Sequence, residues 1–106
     1  MKAIAVKEDN INSLLEDCFG KAKYYCFVDD NPDKIAFALN PGYDLIKSSG
    51  KQAVAYLLTK GVTTVLSRNY GVSVKKILNK HNIQTVIIPQ KYESLTQILE
   101  KMRHKD

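Results

Sequence analysis

The chain first shows an apolar rhythm of two residues and then, past residue 50, a helical one. Residues 2–6 are short, apolar and β-prone, which predicts a first strand. Residues 7–22 are polar and broken by Asp9-Asn10 and Gly20. Residues 23–29, rich in aromatic and β-branched side chains, predict a second strand. Asp30-Asn31-Pro32-Asp33 reads as a turn, residues 34–39 as its hairpin partner, and Asn40-Pro41-Gly42 as the end of that strand. Beyond this point Ala53, Val54, Leu57 and Leu58 form one helical stripe over residues 51–60, stopped by Gly61. Val74, Ile77, Leu78 and His81 form a second stripe that ends before Asn82. Leu95, Ile98, Leu99 and Met102 form a third, with Ser94 and Gln97 at the spacing of a capping box. The apolar runs 62–66 and 83–88 between these helices predict strands buried on both faces of a parallel sheet.

The resulting order is βββαβαβα. An antiparallel meander followed by right-handed crossovers is best satisfied by a five-strand mixed α/β sheet, with helices packed on its faces. The expected strand order is 3-2-1-4-5 with strand 2 antiparallel, as in ribonuclease H-like folds. A chain of 106 residues is expected to form one domain over residues 1–106. In this topology the segments 7–22, 40–50, 67–71 and 89–93 gather on one edge. The connections diverge between strands 1 and 4, where open α/β sheets leave a ligand crevice. Two loops are expected to flank it, one carrying Cys18 and the other Arg68-Asn69.

Composition narrows the classes. The hydrophobic fraction of 44% is that of an ordered globular protein. No apolar stretch approaches the roughly 20 residues needed to cross a bilayer. The N-terminal apolar run meets Lys7-Glu8-Asp9 too early for a signal peptide, so a cytoplasmic location is expected, with no membrane partner. Two cysteines, Cys18 and Cys26, are too few for a disulfide framework. The net charge of +5 owes much to Lys101, Arg103 and Lys105 at the C-terminus, and scattered lysines favour solvation over nucleic-acid reading.

The chemistry-bearing residues lie in the edge loops. The segment Asp17-Cys18-Phe19-Gly20-Lys21-Ala22-Lys23-Tyr24, leading into a strand that ends at Asp29, looks like a His-Phe-Gly-Arg signature. A second block runs from Gly50-Lys51-Gln52-Ala53 through Leu57 to Leu66, and a third, Arg68-Asn69-Tyr70-Gly71, looks like a Gly-Asn-x-Gly-type turn. Over residues 2–102 this ordered set resembles the dinitrogenase iron–molybdenum cofactor biosynthesis family, of the NifX or NifB C-terminal-domain type. The resemblance implies a stand-alone ribonuclease H-like domain that binds an iron–sulfur or iron–molybdenum cluster or precursor and exchanges it with donor or acceptor proteins. It implies a site drawn from Cys18, Phe19, Gly20, Lys21, Ser49, Gly50, Arg68, Asn69 and Gly71, with Cys18 as metal ligand. Two departures stand out: Cys18 replaces the family's histidine and Lys21 its arginine. A thiolate is the softer ligand, whereas lysine loses the bidentate anion fork.

Each residue also has a structural reading. Cationic Lys21 and Lys23 near Cys18 favour a ligand or nucleophile, although a lone cysteine also serves as a small apolar residue. Cys26 alternates with Tyr24 and Val28 on a strand and is expected in the core. No CxxC or His-Cys cluster accompanies Cys18, so a cluster held there would need other ligands, a partner chain or the second copy of a homodimer. Arg68-Asn69-Tyr70-Gly71 suits an anion clamp or a plain strand-to-helix turn. Ser48-Ser49-Gly50 suits a ligand or, more simply, a helix cap. His81 is expected to complete a helix stripe, and His104 has no assigned role. An enzyme is not expected: the first strand carries no acid for nuclease chemistry, and no phosphate-binding glycine motif is present. The competing reading is a protein or nucleic-acid interaction module that has lost cluster binding.

Overall fold

In the computed structural model, residues 1–44 and 49–104 are described. β1 (Lys2–Val6), β2 (Tyr24–Val28) and β3 (Ile35–Leu39) form the meander. α1 (Ser49–Thr59), β4 (Thr64–Ser67), α2 (Val72–Lys80), β5 (Gln84–Ile87) and α3 (Leu95–Arg103) follow. The sheet has the order β3-β2-β1-β4-β5. β2 runs antiparallel to both neighbours, with Ile4 opposite Cys26 and Cys26 opposite Phe37, and β4 lies parallel to β1 and β5. The order and polarity read from the sequence are those of the structure.

The period-two alternation of β1 separates two core layers. Ala3 and Ala5 face one layer with Ala53, Val54 and Leu57 of α1 and Leu78 of α2. Ile4 and Val6 face the other with Cys26 and with Leu95, Ile98 and Leu99 of α3. The helical stripes at residues 53–57 and 95–99 are thus the faces that meet the sheet.

Two helix ends aim the chain into the parallel strands. After α1, Val62 N–H donates to Leu57 O (3.3 Å) and Gly61 N–H to Leu58 O (3.2 Å). Gly61 adopts φ +73°, a left-handed conformation that glycine enters without a Cβ clash. After α2 the same pattern recurs: Ile83 N–H donates to Leu78 O (2.9 Å) and Asn82 N–H to Asn79 O (3.1 Å), with Asn82 at φ 58°. Both are Schellman closures, and each brings its following apolar residue, Val62 or Ile83, into the same core layer as the helix residue it bonds.

One expectation is corrected. β5 occupies the edge that the expected order gives it, but it is half exposed along its length rather than buried on both faces. The 83–88 run is apolar because Ile83 and Ile88 at its ends are buried, while Ile87 stays 63% exposed. His81, exposed at the C-terminal cap of α2, donates its N–H to Ile77 O (3.2 Å) and lines one groove with Ile77, Val54 and Leu58, at the end of the stripe. No helix among the described residues is long and apolar enough to cross a membrane.

Candidate functional site

The Cys18 loop is fixed from three directions. Phe19–Lys21 form a single 3-10 turn that follows Cys18. Phe19 is buried between the rings of Tyr25 (5.2 Å) and Tyr70 (5.5 Å). The Tyr25 hydroxyl donates to Phe19 O (2.6 Å), and the buried Asn40 side chain donates to Gly20 O (3.2 Å) and Ala22 O (2.8 Å). Phe19 O also accepts from Ala22 N–H (3.4 Å) within the turn, and the Asn40 amide gives Gly20 O and Ala22 O a side-chain partner. Burial pushes the Tyr25 and Tyr70 hydroxyls well above their ordinary range, so both act as neutral donors.

The turn is also stitched to the end of β4. Cys18 and Asn69 form a parallel bridge. Phe19 N–H donates to Asn69 O (3.0 Å), and the Asn69 amide donates to Asp17 O (3.2 Å). Cys18, half-buried, is therefore held in register beside Arg68-Asn69 at the sheet edge between β1 and β4.

Arg68 follows the α3 side of the sheet. Its Nη1 pairs with Asp17 Oδ1 at 3.1 Å, and its Nη2 donates to Tyr92 O at 2.5 Å. The Arg68 side chain is only 14% exposed, whereas Asp17 is 65% exposed. Arg68 Nε is buried with no hydrogen-bond partner among the described residues. An unsatisfied buried donor on a cation is costly. Beside it lies a cavity of about 280 Å³, lined by Lys7, Leu14, Leu15, Asp17, Arg68, Gln90 and Glu93.

The remaining expected site residues divide between the loop edge and packing. Gly20 and Gly50 are buried against each other: a Cβ on Gly20 would sit 2.9 Å from Gly50 Cα, and one on Gly50 would sit 2.0 Å from Val74 Cγ2. They let the turn, α1 and α2 approach closely. The Phe19 side chain belongs to the core. Lys21 is exposed at the end of the turn. Ser49 opens α1, while Ser48 lies outside the described residues. Gly71 precedes α2 in open space, and its carbonyl accepts from Lys75 N–H (2.9 Å). The fold thus gathers Cys18, Arg68 and Asn69 at the edge and places Gly20 and Gly50 behind it.

Sequence reasoning passed over three features. Asp17 is the partner of Arg68, although only its adjacency to Cys18 hinted at a role. The loop before α3 supplies Gln90, Glu93 and the Tyr92 carbonyl, so three loops rather than two frame the crevice. Buried Ser13 accepts from Lys7 N–H (3.1 Å) and Glu8 N–H (2.8 Å), and its carbonyl accepts from Leu95 N–H (2.9 Å). It ties the loop after β1 to the start of α3. Among the described residues, no three His, Cys, Asp or Glu side chains cluster to hold a metal ion.

Comparison with known proteins follows this geometry. The fold is shared with the apo form of the orange protein from Desulfovibrio gigas, at TM-score 0.84 and 17% identity, over 96% of this chain and 85% of that one. It is also shared with the NMR structure of a NifB-like protein from Thermotoga, at TM-score 0.78 and 19% identity, over 96% and 85% of the two chains. At these identities the likeness is one of fold. No curated protein matches the sequence. The profile of the dinitrogenase iron-molybdenum cofactor family, however, matches residues 1–105, and the chain belongs to that family.

Proposed function

We propose that this protein is a non-enzymatic carrier whose cargo is an anionic iron–sulfur or iron–molybdenum type cluster, or a precursor of one. The cargo is held where Cys18 meets Arg68-Asn69. The observation that carries this reading is the register bridge between Cys18 and Asn69, which sets the Cys18 backbone beside the end of β4 that carries the Arg68–Asp17 pair. Family membership supports it.

The donor set suits a preformed cluster better than a bare ion. A structural metal ion needs about four protein ligands, and the described residues gather no such group. A cluster brings its own sulfides, so one thiolate and a compensating cation suffice to dock it, with further ligands coming from the delivering protein or a second copy. In this reading Asp17 is an internal counter-ion that an incoming anion displaces from Arg68. Asp17 is the exposed member of the pair, so the exchange requires only a surface side chain to swing away.

The test is anaerobic reconstitution of the protein with iron, sulfide and molybdate, followed by metal analysis and a visible spectrum. The parent is expected to become coloured and Cys18→Ala to stay colourless, while Asp17→Asn takes up metal at least as readily as the parent. A colourless, metal-free parent would instead favour a protein or nucleic-acid interaction module, which steep salt dependence of binding would identify.

A further inference from the structure

β5 leaves one side of the sheet open. Gln84 N–H donates to Thr63 O and Ile88 N–H to Ser67 O, both at 2.9 Å. Backbone groups alternate sides along a parallel strand, so Thr85 and Ile87 turn their N–H and C=O groups away from β4, towards solvent. Beside this edge runs a groove of about 270 Å³, floored by Val86, Ile88, Ile98 and Met102, with Lys91 and Lys101 also lining it. An open strand with an adjoining apolar groove is the arrangement that accepts an added strand from another chain.

We propose that the β5 edge and its groove receive an extended segment that carries both apolar and acidic residues on its groove-facing side, from a protein that gives or takes the cargo. The docking role rests on the carrier reading only for its purpose. Charge selects the occupant: Lys91 and Lys101 match acidic side chains, whereas a second copy would bring the same lysines against themselves. Position supplies the link to the cargo. The loop between β5 and α3 lends Pro89, Lys91 and Tyr92 to the groove and Gln90 and Glu93 to the cavity beside Arg68. A strand added at β5 would lie one loop away from the cargo, against the residue whose carbonyl holds Arg68. The opposite edge, β3, adjoins a groove with no residue of either the Cys18 loop or the Arg68 loop.

The probe is a blocked eight-residue peptide with threonine at every second position and valine and glutamate taking turns between them, titrated into the isotope-labelled full chain and followed by amide shifts and hydrogen exchange. Thr85 and Ile87 amides are expected to shift and become protected. Lys91→Glu/Lys101→Glu should weaken binding by about tenfold or more, and the same peptide with lysine in place of glutamate should not bind. Cys18→Ala should bind the peptide as the parent does, which separates docking from cargo binding. Equal binding by the charge-reversed variant, or no response at Thr85 and Ile87, would overturn the proposal. So would protection of those amides by raised protein concentration alone, which would give the edge to a second copy. Peptide binding by a protein that takes up no metal would leave the docking surface standing and remove the carrier reading.

Discussion

Gly50 shows how a single position can look like ligand chemistry in a sequence and prove to be packing in a fold. Its absent Cβ leaves the space that Val74 Cγ2 fills from α2, and its Cα lies against Gly20. Gly50→Ala is therefore expected to destabilise the protein by about 1–3 kcal/mol, the usual range for overpacking. Adding Val74→Ala should restore more than half of the loss in urea unfolding. Gly20→Ala should not be rescued in this way, because its new methyl would meet backbone at 2.9 Å rather than a side-chain tip. Gly71→Ala, in open space, should change stability by less than about 0.5 kcal/mol. At this scale Cys18 and Arg68 were legible because topology alone sends their loops to the same edge. The Asp17–Arg68 pair and the Arg68–Tyr92 bond were not, because they join residues 51 and 24 positions apart through side-chain directions that no local pattern encodes.

Among the elements, α3 was the most fully readable. Ser94 accepts from Gln97 N–H (3.4 Å), and Gln97 Oε1 accepts from Ser94 N–H (3.0 Å), which completes the capping box that the spacing announced. Ser94→Ala is expected to lose about 1 kcal/mol in denaturant unfolding. The effect should extend beyond the helix. Leu14 bridges Ser94 and Leu15 N–H donates to Glu93 O (2.9 Å), so hydrogen exchange at Leu15 should quicken in the same variant. β5 was readable as a strand and, from the order 3-2-1-4-5, as an edge, but its half-exposed face was not. An apolar run reports that its residues find cover, and here the end residues Ile83 and Ile88 find it while the central Ile87 does not.

For the molecule as a whole, stability should fall in alkali. Burial raises the Cys26 thiol from 9.0 to about 12 and also raises the Tyr25 and Tyr70 hydroxyls. A group that holds its proton more tightly when folded contributes its full stability below its unfolded pKa. That contribution is lost as pH rises, for Cys26 between about 9 and 12. Urea unfolding measured from pH 8 to 11 should therefore show declining stability. Cys26→Ala, although less stable throughout because of the cavity it leaves, should flatten the slope by up to one proton. An unchanged slope would mean that the tyrosines alone carry the effect.

What the sequence determined by itself is the element order, and with it the sheet. Three successive β-prone runs with no α-helix between them close most simply as a meander. Two helical crossovers must then add parallel strands, and right-handed connections leave few arrangements other than 3-2-1-4-5. The two helix stops and the capping box were equally local, since each depends on residues within one or two turns of one another. Only the tertiary structure decided how the edge is built. It set Asn40 and Tyr25 under the Cys18 turn, Asp17 and Tyr92 around Arg68, and Gly20 against Gly50. Each of these contacts depends on the direction and reach of side chains brought together by the sheet, which is fixed by packing and hydrogen-bond satisfaction rather than by spacing along the chain.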